Sequence, residues 1–162
     1  MTIIYSTNAG STERYAKMLS EKLSCPAVKI SKADKIDTNE EIIFMSWLMS
    51  NTLQDYLKAK ESFSNIKAVC AVGLFTNADK LNEVVEKNSI EEELFFLHGA
   101  FNMKNLTGMY KMMMGMAMKM IKPKLMESED PKARAFAEKI DEGIDLVNEE
   151  ELDKVIEFLN AQ

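Results

Sequence analysis

The sequence has one histidine and two cysteines, and this scarcity removes several kinds of chemistry. His98 alone leaves no histidine cluster for zinc or iron, so no metal site is expected. Cys25 and Cys70 stand far apart, in no CxxC or Cys/His pattern, and read as reduced thiols of a cytoplasmic protein. Cys70 lies in an apolar run and reads as a small core residue. No apolar stretch reaches the roughly 18 to 20 residues that a spanning helix needs. The N-terminus has no basic region followed by an apolar run, so no signal peptide is expected. With a net charge of −6 the whole molecule is poorly suited to nucleic acid. No internal repeat or low-complexity linker divides the 162 residues, and their length suits one domain over 1–162.

What is there is an alternation. TIIYS (2–6), a short stretch at Ala27 to Ile30, EIIFMS (41–46), KAVCAVG (67–73) and LFFLH (94–98) read as strands, mostly as continuous apolar runs. Residues 12–23, 53–60 and 79–87 read as helices, the first with Ala16, Leu19 and Leu23 on one face. A methionine-rich helix is expected from Gly108 to Ile121. Pro123 and Pro131 are expected to break it from a short helix over 132–141. Asn148 with Glu151 three residues on reads as a capping-box variant opening a last helix, whose inward face is Leu152, Val155, Ile156 and Leu159. Strands alternating with helices imply an α/β fold with a parallel sheet covered on both faces. Ligands in such folds sit beyond the C-terminal strand ends, which directs attention to 6–12, 46–52, 73–78 and 98–105.

The first of these segments runs straight into a helix and is made of small polar residues: Ser6, Thr7, Asn8, Ala9, Gly10, Ser11 and Thr12. A helix start offers free N–H groups and partial positive charge, hence an anion site. The loop has no lysine or arginine. The GxxxxGK[ST] loop of triphosphate sites and the GxGxxG loop of dinucleotide sites are both absent. A receiver domain's acidic residues and a CxxxxxR phosphatase loop are absent too. A monoester phosphate held by N–H and hydroxyl groups remains, beside the plain alternative of a hydroxyl-capped helix entry. Beyond the third strand stands Trp47, the only tryptophan, within SWLMSN; GLFTNA (73–78) adds Phe75. Flat side chains there suit a planar heterocycle. No side chain in these loops reads as an acid–base catalyst.

YSTNAGSTERYA resembles the FMN-phosphate loop of the flavodoxins, [ST]-x-T-G-x-T, with Thr7, Gly10 and Thr12 matching and Ala9 replacing a threonine. Ser46-Trp47 is similar to the Thr-Trp of a flavin-covering loop, and Gly73 to Asn77 occupy the place of the other such loop. The resemblance implies a doubly wound five-stranded parallel sheet in the order 2-1-3-4-5, noncovalent FMN, and electron transfer. The implied cofactor contacts are Thr7, Asn8, Ala9, Gly10, Ser11, Thr12, Ser46, Trp47, Leu48, Asn51, Gly73, Leu74, Phe75, Thr76 and Asn77. Flavodoxins often place a glycine in the second loop whose peptide flips to the reduced ring; here Asn51, which tolerates positive φ, stands in for it. HGAFNMKNLTGMYKMMMGMAMKMI resembles the insert of the flavodoxin-like, menaquinone-dependent protoporphyrinogen oxidases, with IDLV (144–147) as the strand piece beyond it.

Three functions follow as expectations: an FMN electron carrier between protein partners, an FMN oxidoreductase acting on a hydrophobic substrate with a quinone acceptor, or a flavin-free binding module. From Leu94 to Met126 there is no Asp or Glu, while Lys104, Lys111, Lys119, Lys122 and Lys124 are present. On a helix, Met109, Met112, Met113, Met116 and Met120 have the spacing of an inward face, and Tyr110, Met114, Ala117 and Ile121 form a second apolar strip. Either the helix is buried on both sides, or the second strip stays exposed. An exposed strip would dock a partner, a hydrophobic substrate or the inner face of a membrane through residues 104–126.

Overall fold

The computed structural model describes residues 1–74, 78–104, 106, 108–129 and 131–161. The chain packs as two compact units, Met1–Gly99 with Val147–Gln162, and Ala100–Leu146.

The first unit is a parallel sheet between helices. Its strands are β1 (Thr2–Tyr5), β2 (Ala27–Lys29), β3 (Ile42–Met49), β4 (Thr52–Leu53), β5 (Ile66–Gly73) and β6 (Glu93–His98). The order is β2-β1-β3-β5-β6, with β4 pairing only onto the end of β3. With that hairpin strand set aside, this is the expected order 2-1-3-4-5. Every pairing on the main path is parallel, from Ile3↔Ala27 at one edge to Gly73↔His98 at the other.

Strand alternation sorts the apolar residues onto two faces. Ile4, Phe44, Val69 and Ala71 pack with Tyr56 and Ala59 of α2 (Tyr56–Ser62) and with Val84 of α3 (Ala78–Asn88). Ile3, Ile43, Met45, Cys70 and Leu97 pack with Tyr15, Ala16 and Leu19 of α1 (Ser11–Leu23). Leu152 and Val155, at the start of the closing helix, complete that face. Burying each large side chain stabilises the unit by about 1.5–3 kcal/mol. This is why the strands read as apolar runs rather than alternating ones.

Two boundaries differ from the sequence reading. β3 does not end at Ser46 but continues through Trp47, Leu48 and Met49, because those apolar residues keep pairing: Trp47 with Val72, Leu48 with Leu53 and Met49 with Thr52. Ser50 and Asn51 then turn the chain with φ of 49° and 62°. Positive φ at both positions makes a type I′ hairpin. Leu53 therefore belongs to β4, and α2 begins only at Tyr56.

The second unit holds β7 (Ala100–Phe101), α4 (Gly108–Met126), α5 (Pro131–Lys139) and β8 (Ile144–Asp145). β7 and β8 pair antiparallel. The strand piece expected at 144–147 is thus present, shorter, and matched to the start of the insert. Gly143 precedes it with φ of 98°, where an added Cβ would lie 2.9 Å from Asn102 Nδ2.

Pro123 does not break the methionine helix. It lacks an N–H, but its carbonyl still accepts the Glu127 N–H at 3.1 Å, and α4 continues to Met126. Pro131 takes the first position of α5, where a missing N–H costs little.

The burial of α4 also reverses the expectation. Met109, Met112, Met113, Met116 and Met120 are exposed, whereas Met114, Ala117, Met118 and Leu125 are half-buried. α5 is the neighbour that packs on the helix within this unit, and it covers the other side. The Tyr110 side chain lies outside the described residues, and Ile121 is exposed.

After the insert, Asn148 caps a short 3-10 turn, Glu149–Leu152, by accepting the Glu150 N–H at 3.1 Å. α6 (Asp153–Asn160) follows. The capping box is therefore half formed. Asn148 caps as expected, but the Glu151 carboxylate does not return to it.

Candidate functional site

The first loop and the C-terminal ends of β1, β3, β5 and β6 meet at one end of the sheet in the first unit. The Ser6 N–H extends the β1 ladder to the Met45 carbonyl at 2.9 Å, and its hydroxyl donates to Asp55 Oδ2 at 2.5 Å. The Ser46 hydroxyl donates to the Gln54 carbonyl at 2.7 Å. The residues just after the hairpin are thereby tied to the roots of β1 and β3.

Thr7 Oγ1 accepts the Gly10 N–H at 3.1 Å, which curls the loop back before the helix. Gly10 has φ of 97°, a left-handed conformation that glycine takes without strain, and a Cβ there would meet no described residue within 4 Å. α1 starts at Ser11 with no side-chain cap. Gly10 has no side chain to cap this start, and first-turn N–H groups of a helix favour an anion. Asn8 and Ala9 are half-buried, and Ser11 is buried. Thr12 is 1% exposed.

Trp47 is half-buried and stands on the same sheet face as Ile43 and Met45, the α1 face, two residues beyond Met45. Leu48 points to the opposite face, where its Cδ1 is 3.6 Å from the position of a Cβ on Gly73. That Cβ would also come within 3.0 Å of the Phe96 ring, so Gly73 permits the close approach of β5 to its neighbours. The Gly73 carbonyl accepts the Gly99 N–H at 2.7 Å. A Cβ on Gly99 would lie 3.6 Å from Ser11 Cβ, which places the end of β6 beside the start of α1. Leu74 is half-buried; Phe75, Thr76 and Asn77 lie outside the described residues.

Asn51 takes the positive φ expected of it, but both its ends are engaged. Its side-chain amide donates to Glu83 Oε2 at 2.8 Å, and its carbonyl accepts from Asn88 Nδ2 at 2.8 Å. Asn88 Oδ1 accepts the Leu53 N–H at 2.8 Å, and Lys87 Nζ donates to the Ser50 carbonyl at 2.6 Å. The hairpin is thus bolted to the end of α3. A flip of the Asn51 carbonyl would break one of these bonds.

A second cluster was not visible in the sequence. Glu151 Oε2 accepts the His98 N–H at 2.7 Å and the Tyr15 hydroxyl at 3.0 Å, while Oε1 lies 2.5 Å from His98 Nδ1. The Tyr15 oxygen is 2.7 Å from the His98 carbonyl and accepts the Asn148 N–H at 3.0 Å. Burial, with Glu151 alongside, pushes the Tyr15 phenol far above its ordinary range. His98 ends β6 and Asn148 follows the insert, so this cluster fastens the two points where the insert leaves and rejoins the sheet. A tyrosine one residue before the inward Ala16 was the available signal. The partners of Glu151 and the link from Ser6 to Asp55 are set by tertiary folding. Among the described residues no cluster of His, Cys, Asp or Glu is placed to hold a metal ion.

A family model described as a flavodoxin domain matches residues 2–128. Comparison with curated proteins and with solved structures gives no match. The family match spans the first loop, all five main strands and α4, on a sheet that has the flavodoxin order; the chain belongs to the flavodoxin-domain family.

Proposed function

We propose that the chain binds one FMN at this end of the sheet and carries electrons between protein partners. The observation that carries the reading is the start of α1, where buried Ser11 and Thr12 bring their hydroxyls in directly after a left-handed Gly10 that has no side chain to cap the helix. A phosphate monoester would take up these donors, together with the Thr7 hydroxyl and the first-turn N–H groups. Trp47 would cover one face of the ring, and Gly73, Leu74 and residues 75–77 the other, with Ser46 and Leu48 shaping the floor. FMN supplies the electron chemistry when bound. The chain's part is to hold the phosphate without a cation, orient the ring and exclude water around it.

The test is an absorbance spectrum of the purified protein with and without added FMN, followed by titration. Flavin bands are expected, and Thr12→Val is expected to weaken FMN by about 1–3 kcal/mol, the cost of an anion left short of a hydrogen bond. Riboflavin binding as tightly as FMN would remove the phosphate site. Trp47 emission is expected to be quenched when FMN is added to apoprotein, and unchanged emission would remove the stacking role. A colourless protein that ignores FMN would leave the flavin-free binding module.

One feature favours a second reading, an oxidoreductase of the protoporphyrinogen oxidase type. The second unit holds a groove of about 450 Å³ lined by Met103, Met118, Met126 and Ile140, with Lys119 at its side and Lys122 paired there with Asp141. Apolar walls with an ammonium group suit a hydrophobic anion. Turnover of a porphyrinogen with a quinone acceptor would establish this reading over the carrier.

A further inference from the structure

Five methionines on one side of α4 are 48 to 69% exposed: Met109, Met112, Met113, Met116 and Met120. At 3.6 residues per turn they span about 100° of the helix circumference, in one unbroken stripe. Isolated exposed apolar residues are ordinary on a protein surface, but a contiguous stripe of this kind marks a contact. Lys119 falls at one edge of the stripe and Lys124 at the other, both exposed. Lys122 lies on the packed side and pairs with Asp141. No Asp or Glu occurs between Leu94 and Met126; the first acids are Glu127 and Glu129, after the helix.

We infer that this stripe is a docking surface for an anionic lipid bilayer, with α4 lying in the plane of the headgroups. The cationic rims require a negatively charged surface, and lysine stems long enough to keep their ammonium groups at the headgroups suit that depth. The stripe itself is made of unbranched, flexible side chains, which acyl chains accept without shape complementarity. It has none of the Trp, Tyr or Arg anchors that concentrate binding energy at protein–protein interfaces. Among the described residues no helix is long and apolar enough to cross a membrane, so attachment is peripheral. The surface lies wholly within the second unit and stands whether or not FMN is the cofactor.

The experiment is co-sedimentation of the full chain with vesicles of phosphatidylcholine alone and of phosphatidylcholine with phosphatidylglycerol, at low and high salt. Binding is expected to the anionic vesicles only, and to fall as salt rises. Each lost lysine is expected to weaken it about fivefold, so Lys119→Glu with Lys124→Glu weakens it about 25-fold or more. Met112→Ser, Met116→Ser and Met120→Ser together are expected to weaken it at least about tenfold. The same three positions changed to leucine retain binding, which guards against a serine variant that merely unfolds. Equal binding to neutral vesicles would overturn the inference, as would parent-like binding by the serine variant. No binding to either vesicle would also overturn it and leave an acidic protein surface as the partner.

Discussion

Met45 and Met116 are the same residue put to opposite uses. Met45 lies in β3 at 0% exposure among Ile43, Cys70 and Leu97, while Met116 stands on α4 at 64% exposure. In the sheet unit every strand residue has a face to serve, and helices close both faces. In the insert, the helix has one packed side, set by Met114, Met118 and Leu125, and an apolar side left over. The difference teaches that hydrophobicity along a helix reports burial only where a neighbour exists to cover each face. Methionine is the residue for which that neighbour matters most, since its flexible thioether suits both a gap in a core and a yielding surface.

The contrast can be broken by truncation. Phe44→Ala in the sheet is expected to cost about 3–5 kcal/mol in denaturant unfolding, because it empties a fully buried site. Tyr15→Phe is expected to cost about 1–3 kcal/mol, since it strips a hydrogen-bonded hydroxyl from the His98, Asn148 and Glu151 groups around it. A loss near zero would mean that the neck of the insert is held by packing alone.

Alkaline unfolding sharpens the same contrast, because among the described residues the thiols and phenols whose protons burial holds sit in the sheet unit. Burial pushes the Cys70 thiol up to about 12 from 9.0. The native state keeps a proton that the unfolded chain releases, so this stability is complete below pH 9 and is lost as pH rises toward 12. Tyr15 and Tyr56, also raised chiefly by burial, act in the same direction from about pH 10. Cys70→Ala is expected to remove about 1.4 kcal/mol per pH unit from the slope of unfolding free energy over that range. Urea titrations at several pH values measure it. The smallest effect belongs to the other unit. Met116→Ala is expected to change stability by no more than about 0.5 kcal/mol. A loss comparable with that of Phe44→Ala would show that the stripe on α4 is core after all.

Much of this was legible in the chain itself. The five main strands followed from apolar runs alternating with helical periods, because a sheet covered on both faces leaves that signature; their order followed only from the resemblance to the flavodoxins. The turn from β1 into α1 was legible because small polar residues and a glycine suit a loop that enters a helix. The end of β3 was not, since Trp47, Leu48 and Met49 read equally well as a loop that covers a ligand or as three more strand residues. Only the pairing of Trp47 with β5, that of Leu48 and Met49 with β4, and a turn at Ser50-Asn51 decide between them. The inward side of α4 was misassigned because methionine fills both sides of the helix, so periodicity alone had no polar face to contrast with. The spacing of Glu151 from Asn148 suggests a capping partner; the stronger claim on its carboxylate comes from His98 and Tyr15, far away in sequence.

The Tyr15 oxygen has a consequence for how such a chain can change over time. It stands within hydrogen-bond reach of the last residue before the insert's root and of the first residues after it. The segment from Ala100 to Leu146 thus leaves and rejoins the first unit at residues held close together. The entropy of closing a loop grows only with the logarithm of its length, so doubling that segment would cost the sheet only about 0.6 kcal/mol. The sheet and its first loop can therefore stay fixed while the inserted segment is lengthened, exchanged or given a new surface. The chain gains a variable attachment without renegotiating its core.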